Sequence, residues 1–421
     1  MAFAVLALCL LLAEAVAVSA VDVKVAGIGF TSESAIRRFL ETRPGNLLDE
    51  ETLATDLRRL RTLGILYDVS ATVSETRVEI SAKDRWSLVP FVGLRRGGGR
   101  TLARFGISDH NVAGELATAY AELSSNTDIP FFQGGSYGSF VYFEVPRLFG
   151  TRLKPGVYWT REFIDYANFG TDGEVHYLYD RQRHQVRAEL SYEFLPWLAA
   201  SAGAEVLHDR FDTSALTHVP GAPPPNADAT FGFASLTLGV VEQFVSQSAG
   251  SDLKLEMKAS RRGFLGSTDG VVSGSLLGRT FWRPRPQDNL LVQLFFQGTN
   301  GQSDSFLFRA GGLREIRGFT DAFFEGQFLA VANVEYRVDV GRINFVIPAV
   351  AQVAAFTDGG FVARRAGAIA GLEYEGPIAS AGGGVRYIPV PFARAVGRLD
   401  LAFGLTPRRT FDISFGGQQF F

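Results

Sequence analysis

From Trp86 to the end of the chain, apolar and polar residues alternate with the two-residue period of a β-strand. Val186, Ala188, Leu190, Tyr192 and Phe194 interleave with Arg187, Glu189, Ser191 and Glu193. Leu253, Leu255 and Met257 interleave with Lys254, Glu256 and Lys258, and Asn333, Glu335 and Arg337 with Val334, Tyr336 and Val338. About sixteen such segments fit between Leu88 and the C terminus, each near the ~9–11 residues of a transmembrane strand. Short connections (146–150, 195–197, 283–288) alternate with long polar ones (124–133, 164–183, 211–227, 298–327, 358–379). That is the pattern of a closed barrel with short turns on one side of a membrane and long loops on the other. No stretch after the first twenty residues has the ~18 apolar residues of a membrane helix, so a membrane-embedded chain must close its sheet to satisfy the edge groups.

The residues ahead of the barrel follow another rhythm. Residues 21–85 read as a compact α/β unit. Val21, Val23 and Val25 alternate as a strand, and Thr31 or Ser32 can cap a helix that carries Ala35, Ile36, Phe39 and Leu40. After the Pro44-Gly45 break, a second helix turns Leu53, Leu57, Leu60 and Leu63 to one face and Glu50, Glu51, Arg58, Arg59 and Arg61 to the other. Two strands follow, over 65–73 and 78–80. Residues 1–20 read as a secretory signal, apolar from Ala2 to Ala13, with Val18 and Ala20 suited to a small-residue cleavage site. Cys9, the only cysteine, lies within it, so the mature chain should lack disulfides and thiolate metal sites.

Composition adds exclusions. Thirty-six Phe and 46 Gly against two Met suit strands, turns and lipid-facing aromatics. A net charge of −3 gives no basic face for nucleic acid. His110, His176, His184, His208 and His218 are scattered without metal-ligand spacing, and the Gly97–Gly99 and Gly382–Gly384 triplets lack the context of a phosphate loop. No catalytic set or cofactor is expected.

Two resemblances sharpen the picture. The β-α-α-β-β order of 21–85, with its Gly64-Ile-Leu-Tyr-Asp-Val69 run, resembles a polypeptide-transport-associated (POTRA) domain. The remainder resembles the BamA/TamA superfamily (bacterial surface antigen family). Arg317-Gly318-Phe319, between the eleventh and twelfth segments, matches that superfamily's Arg-Gly-(Phe/Tyr) loop motif. Phe356-Thr-Asp358-Gly-Gly360 matches its Phe-x-Asp-x-Gly motif, and Glu335-Tyr-Arg337 its Glu-x-Arg motif. The loop at 299–327 carries Leu313, Ile316, Phe319, Phe323 and Phe324, more apolar than an external loop should be, so it is expected to fold into the lumen. There Arg317 would pair with Asp358, Glu335 would take the remaining guanidinium donors, and Gly318 would let the backbone approach the wall. Phe411, Ile413, Phe415 and the terminal Phe421 share parity and resemble the C-terminal segment by which such barrels are recognised for insertion.

The expectation is therefore a mainly β protein in the bacterial outer membrane: one periplasmic POTRA-like domain (21–85) and a transmembrane antiparallel barrel of about sixteen strands (86–421). The resemblance implies an insertase or translocase whose partners are unfolded outer-membrane or secreted polypeptides, the lipid bilayer and periplasmic accessory proteins. Its rivals are a two-partner-secretion pore for one dedicated substrate, a plain porin, and a barrel that only anchors a periplasmic complex. A single small domain, where BamA-like assembly factors typically have several, favours a specialised transporter over a general one.

Overall fold

The computed structural model describes residues 17–97, 100–126, 136–169, 175–213, 223–312, 315–319, 323–344, 347–363, 376–392 and 395–417. The small domain is a three-stranded sheet in the order β1 (Ala20–Gly27), β3 (Arg77–Asp84), β2 (Leu66–Ser74), with β1 parallel and β2 antiparallel to β3. Two helices, α1 (Glu33–Arg37) and α2 (Glu50–Thr62), cover it. Ser32 caps α1 by accepting from the Ala35 N–H. Asp49 caps α2, and its hydrogen bonds from the Thr52 hydroxyl and N–H hold its carboxyl below the ordinary value. Helix α1 is shorter than its periodicity suggests, yet Phe39 and Leu40 beyond its end still reach the core, with Ile36, Leu60, Ile65, Val78 and Ile80. Residues 1–16 of the expected signal lie outside the described residues. Ala17–Ala20 belong to the folded unit: Val18 is buried in its core and donates to the Asn46 carbonyl at 2.8 Å.

The barrel is one antiparallel sheet of 16 strands, each paired with its neighbour in the chain. They are β4 (Leu88–Gly97), β5 (Arg100–Val112), β6 (Ala117–Asn126), β7 (Ser136–Glu144), β8 (Leu153–Phe169), β9 (Val175–Leu195), β10 (Leu198–Thr213) and β11 (Ala227–Gln243). Then come β12 (Ser248–Ser260), β13 (Val271–Trp282), β14 (Asp288–Thr299), β17 (Phe328–Asn344), β18 (Pro348–Ala363), β19 (Ile378–Pro389), β20 (Gly397–Thr406) and β21 (Thr410–Gly417). Between β14 and β17 the chain forms a small hairpin, β15 (Phe308–Ala310) with β16 (Phe324–Gly326).

Side-chain parity divides the wall. Val186, Leu190, Phe194, Leu253, Leu255, Met257, Leu401 and Phe403 are exposed on the outside, whereas Arg187, Glu205, Asn333, Glu335 and Asp358 are buried within. An apolar exterior with a polar interior is the arrangement a lipid-embedded barrel needs. Two features differ from the alternation of short and long connections. Most of the loop expected at 164–183 is strand, because β8 and β9 run on, paired down to Phe169 and Val175. On the same side the β4–β5 and β20–β21 connections are short.

Candidate functional site

The inward faces of β17–β20 hold one connected group of buried charges. Register places Asn333 opposite Asp358 and Glu335 opposite Phe356 on β17 and β18, Gln352 opposite Arg386 on β18 and β19, and Arg386 opposite Arg398 on β19 and β20. The loop after β14 descends onto this wall. Arg317, 0% exposed, donates from Nε to Asp358 Oδ2 at 2.8 Å and from Nη2 to Oδ1 at 2.7 Å, a two-pronged pair. Its backbone N–H also donates to Asp358 Oδ2, at 3.0 Å, and its Nη1 to Glu335 Oε2. The guanidinium lies 3.4 Å from the centre of the Phe356 ring.

The two carboxylates differ in their other partners. Among the described residues, Asp358 accepts further only from the Asn333 side-chain amide, at 2.9 Å, besides its bonds from Arg317. Glu335 accepts also from Arg337 Nε at 2.6 Å and Arg386 Nη2 at 3.0 Å. Arg386 and Arg398 both donate to Asp400. A carboxylate surrounded by guanidinium groups is how charge becomes tolerable away from bulk water.

Glycines make the close approach feasible. Gly318 has φ +87°, and a Cβ there would lie 2.8 Å from the Gly404 nitrogen on β20. Opposite, a Cβ on Gly404 would lie 2.8 Å from the Phe319 ring, and one on Gly360 would run into Ile316. Gly382 leaves room for the Phe356 ring and Gly384 for the Arg386–Asp400 pair, so this triplet shapes the wall. Phe319 is buried against Phe324 (ring centres 5.2 Å apart, planes at 68°), and Thr410 donates to the Gly318 carbonyl. Leu313 lies outside the described residues.

The start of the same loop is held by the far wall. Phe306 packs among Leu207, Ala227, Ala229, Phe231 and Val271 of β10, β11 and β13. Arg183 Nη2 donates to the Ser305 carbonyl at 2.6 Å and to Asp209 at 2.7 Å, and Arg181 grips the same carboxylate from Nε and Nη2. The loop therefore spans the lumen from β9–β13 to β17–β20.

Below it, an interior cavity of about 1510 Å³ reaches from Glu315 and Val331 down to Phe39, Leu63 and Ile65 of the small domain. That domain sits against the barrel's short turns. Leu116 of the β5–β6 turn enters its core, and Asn111 donates to Thr31 at 2.9 Å. Arg59 joins Asp56 and Glu41 within the domain to Glu193 at the end of β9, 3.1 Å away. Arg147 pairs with the same Glu193 at 3.0 Å, Arg152 with Glu41, and Arg58 and Arg61 with Glu242 at 3.4 Å. Burial at this junction holds the Arg147 guanidinium below its ordinary value, with Glu193 opposing the shift.

Strand β21 lies beside β4 to close the barrel. Among the described residues no hydrogen-bonded register joins the two, although every other adjacent pair has one. Phe411, Ile413 and Phe415 of β21 are exposed on the outer face, and Phe421 lies outside the described residues.

The structure thus brings together Arg317, Gly318, Phe319, Glu335, Phe356, Asp358 and Gly360. Reasoning from sequence missed Thr410 and Gly404, and it missed Arg386, Arg398 and Asp400, whose only hint is an inward-parity charge on glycine-containing strands. It also missed Arg183, Asp209, Ser305 and Phe306.

Comparison with known proteins agrees with this architecture. Residues 21–88 match the POTRA family model, described as surface antigen variable number repeat. No curated protein sequence matches the chain. Among solved structures, BamA from Haemophilus ducreyi lacking POTRA domains 1–3 aligns with TM-score 0.53 at 15% identity, over 95% of this chain and 84% of that one. CdiB from Escherichia coli aligns with TM-score 0.64 at 11% identity, over 95% and 76%. CdiB from Acinetobacter baumannii aligns with TM-score 0.59 at 13% identity, over 96% and 73%.

Proposed function

We propose that this chain, one POTRA domain joined to an outer-membrane barrel of the BamA type, moves polypeptides: the domain captures an unfolded client and the barrel inserts or exports it. The observation that carries this reading is the lumen loop, held against the inner wall by Arg317 with Asp358 and Glu335. A loop tied into two walls above a docked domain is a closed gate, a device that a pore for small solutes does not need. Strand addition at an edge of the POTRA sheet would recognise backbone rather than sequence, which suits clients of many kinds. The β21–β4 seam gives such a client an exit, since glycines at 416 and 417 weaken that strand. Folding of the client supplies the free energy. Phe411, Ile413, Phe415 and Phe421 are read as the segment by which this barrel is itself recognised for insertion.

A second reading, export of one dedicated soluble substrate, draws on the cavity beneath the loop, which would form a continuous path once the loop moved. One experiment separates the two. The protein is reconstituted in liposomes with and without a disulfide bridging β4 and β21, and urea-denatured outer-membrane protein is added. Insertion that stops in the bridged form and returns on reduction supports lateral delivery. Transport into the lumen that ignores the bridge supports export, and no effect of the protein on either process removes both readings.

A further inference from the structure

The POTRA domain displays two large apolar side chains on its surface, Phe30 at 73% and Ile28 at 53% exposure. Their loop is held firmly. Asp84, itself buried, accepts from the Gly29 N–H and the Thr31 N–H, both at 3.0 Å. Thr31 accepts from Asn111 at 2.9 Å, and the Ser32 N–H donates to the Gly114 carbonyl at 3.0 Å. The loop is thus tied both to β3 and to the β5–β6 turn, which leaves Phe30 no route into a core. A rigid support that presents a phenyl ring outward indicates an apolar neighbour in the working protein.

The surroundings identify that neighbour. Phe30 meets Trp86 edge-on, with ring centres 5.7 Å apart. Trp86 shares parity with Leu88 and Val92, which face outward from β4, Val92 at 80% exposure. Val92 pairs with Phe105 of β5 and Pro90 with Ile107, both of them also exposed outward. The outward-facing residues of β4 and β5 therefore lead through Trp86 to Phe30, with Ile28 exposed two residues before it. Tryptophan at the lower rim of such a belt marks the depth of the lipid headgroups.

We propose that Ile28 and Phe30 sit in the headgroup–acyl boundary of the periplasmic leaflet beside β4, so that the POTRA domain is a membrane-contacting part of the seam. The partner is a phospholipid surface, not a client chain or a second copy of the protein. The proposal rests on the barrel being embedded in lipid and stands apart from the reading of what it transports.

Quenching by brominated lipid tests it. The four tryptophans, Trp86, Trp159, Trp197 and Trp282, are replaced by phenylalanine, and one is introduced by Phe30→Trp or, separately, Ile28→Trp. Each variant is reconstituted in phosphatidylethanolamine–phosphatidylglycerol vesicles with brominated acyl chains. Val92→Trp serves as the lipid-facing reference and Val73→Trp, on β2 at the other edge of the small sheet, as the aqueous one. The expected result is quenching at 30 and 28 comparable with the Val92 reference and well above the Val73 reference. Quenching no greater than at Val73, with Val92→Trp quenched, would overturn the proposal and leave water or protein facing the patch. Failure to quench Val92→Trp would overturn the lipid-embedded barrel itself.

Discussion

Removal of the Arg317 side chain has unequal consequences for its two carboxylate partners. Glu335 would keep Arg337 and Arg386. Among the described residues, Asp358 would keep only neutral donors, the Asn333 amide and the backbone N–H of residue 317. The penalty therefore falls on Asp358, and breaking a buried pair from one side costs about 3–5 kcal/mol, less where water enters. At about 1.4 kcal/mol per factor of ten, Arg317→Ala should raise the population of released loop by roughly two to three and a half orders of magnitude. Asp358→Asn in the same chain removes the orphaned charge, so the double variant should fall short of the product of the single effects by about tenfold or more, within the range for residues in direct contact. Labelling of a buried cysteine reads this. Ala310→Cys, placed where the native residue is buried in the loop cluster and in a Cys9→Ser background, reacts with a maleimide only when the loop lifts. Where reclosing outpaces labelling, the rate follows the open population. Single effects that simply multiply in the double variant would show that Arg317 and Asp358 do not act as a pair and would refute the reasoning.

Two further perturbations probe how the loop is seated. Gly318→Ala forces a side chain onto a residue at φ +87° and 2.8 Å from the Gly404 nitrogen; it should cost about 1–2 kcal/mol for the left-handed backbone and ~1–3 for overpacking, visible as a lower urea midpoint of the refolded barrel. Phe306→Ala empties the pocket on the opposite wall and should cost ~3–5 kcal/mol of local stability. Hydrogen exchange should then quicken over 301–307 while the amide of Arg317 stays protected, and equal loss of protection at both ends would mean that the loop has a single hold, not two.

Much of this was readable in advance because strand parity is a local signal. The two-residue period placed Asn333, Glu335 and Arg337 on one face, and that face is the interior. An apolar, Gly-containing loop between charged strands pointed inward for the same reason: burial decides which residues a loop carries. What stayed hidden comes from strands remote in sequence. Thr410 and Gly404 meet residues 318 and 319 only because closure brings β20 and β21 over the loop, and no period records that. The extensions of β8 and β9 have the sequence of a loop because Asp180, Arg181, Gln182 and Arg183 lack the apolar alternate that a lipid face supplies. Paired by backbone rather than by lipid, they read as polar turn. The hold on Phe306 carries no signature beyond an aromatic that follows the polar run Gln302-Ser-Asp-Ser305.

Single-channel conductance of the refolded protein in planar bilayers, compared between the wild type and Arg317→Ala, tests the closed-gate account most directly. The account predicts a small, flickering wild-type conductance that becomes larger or less steady in the variant, as the loop leaves Asp358 and the cavity beneath it joins the exterior. A large, steady conductance that ignores the substitution would contradict it and make the barrel an open channel.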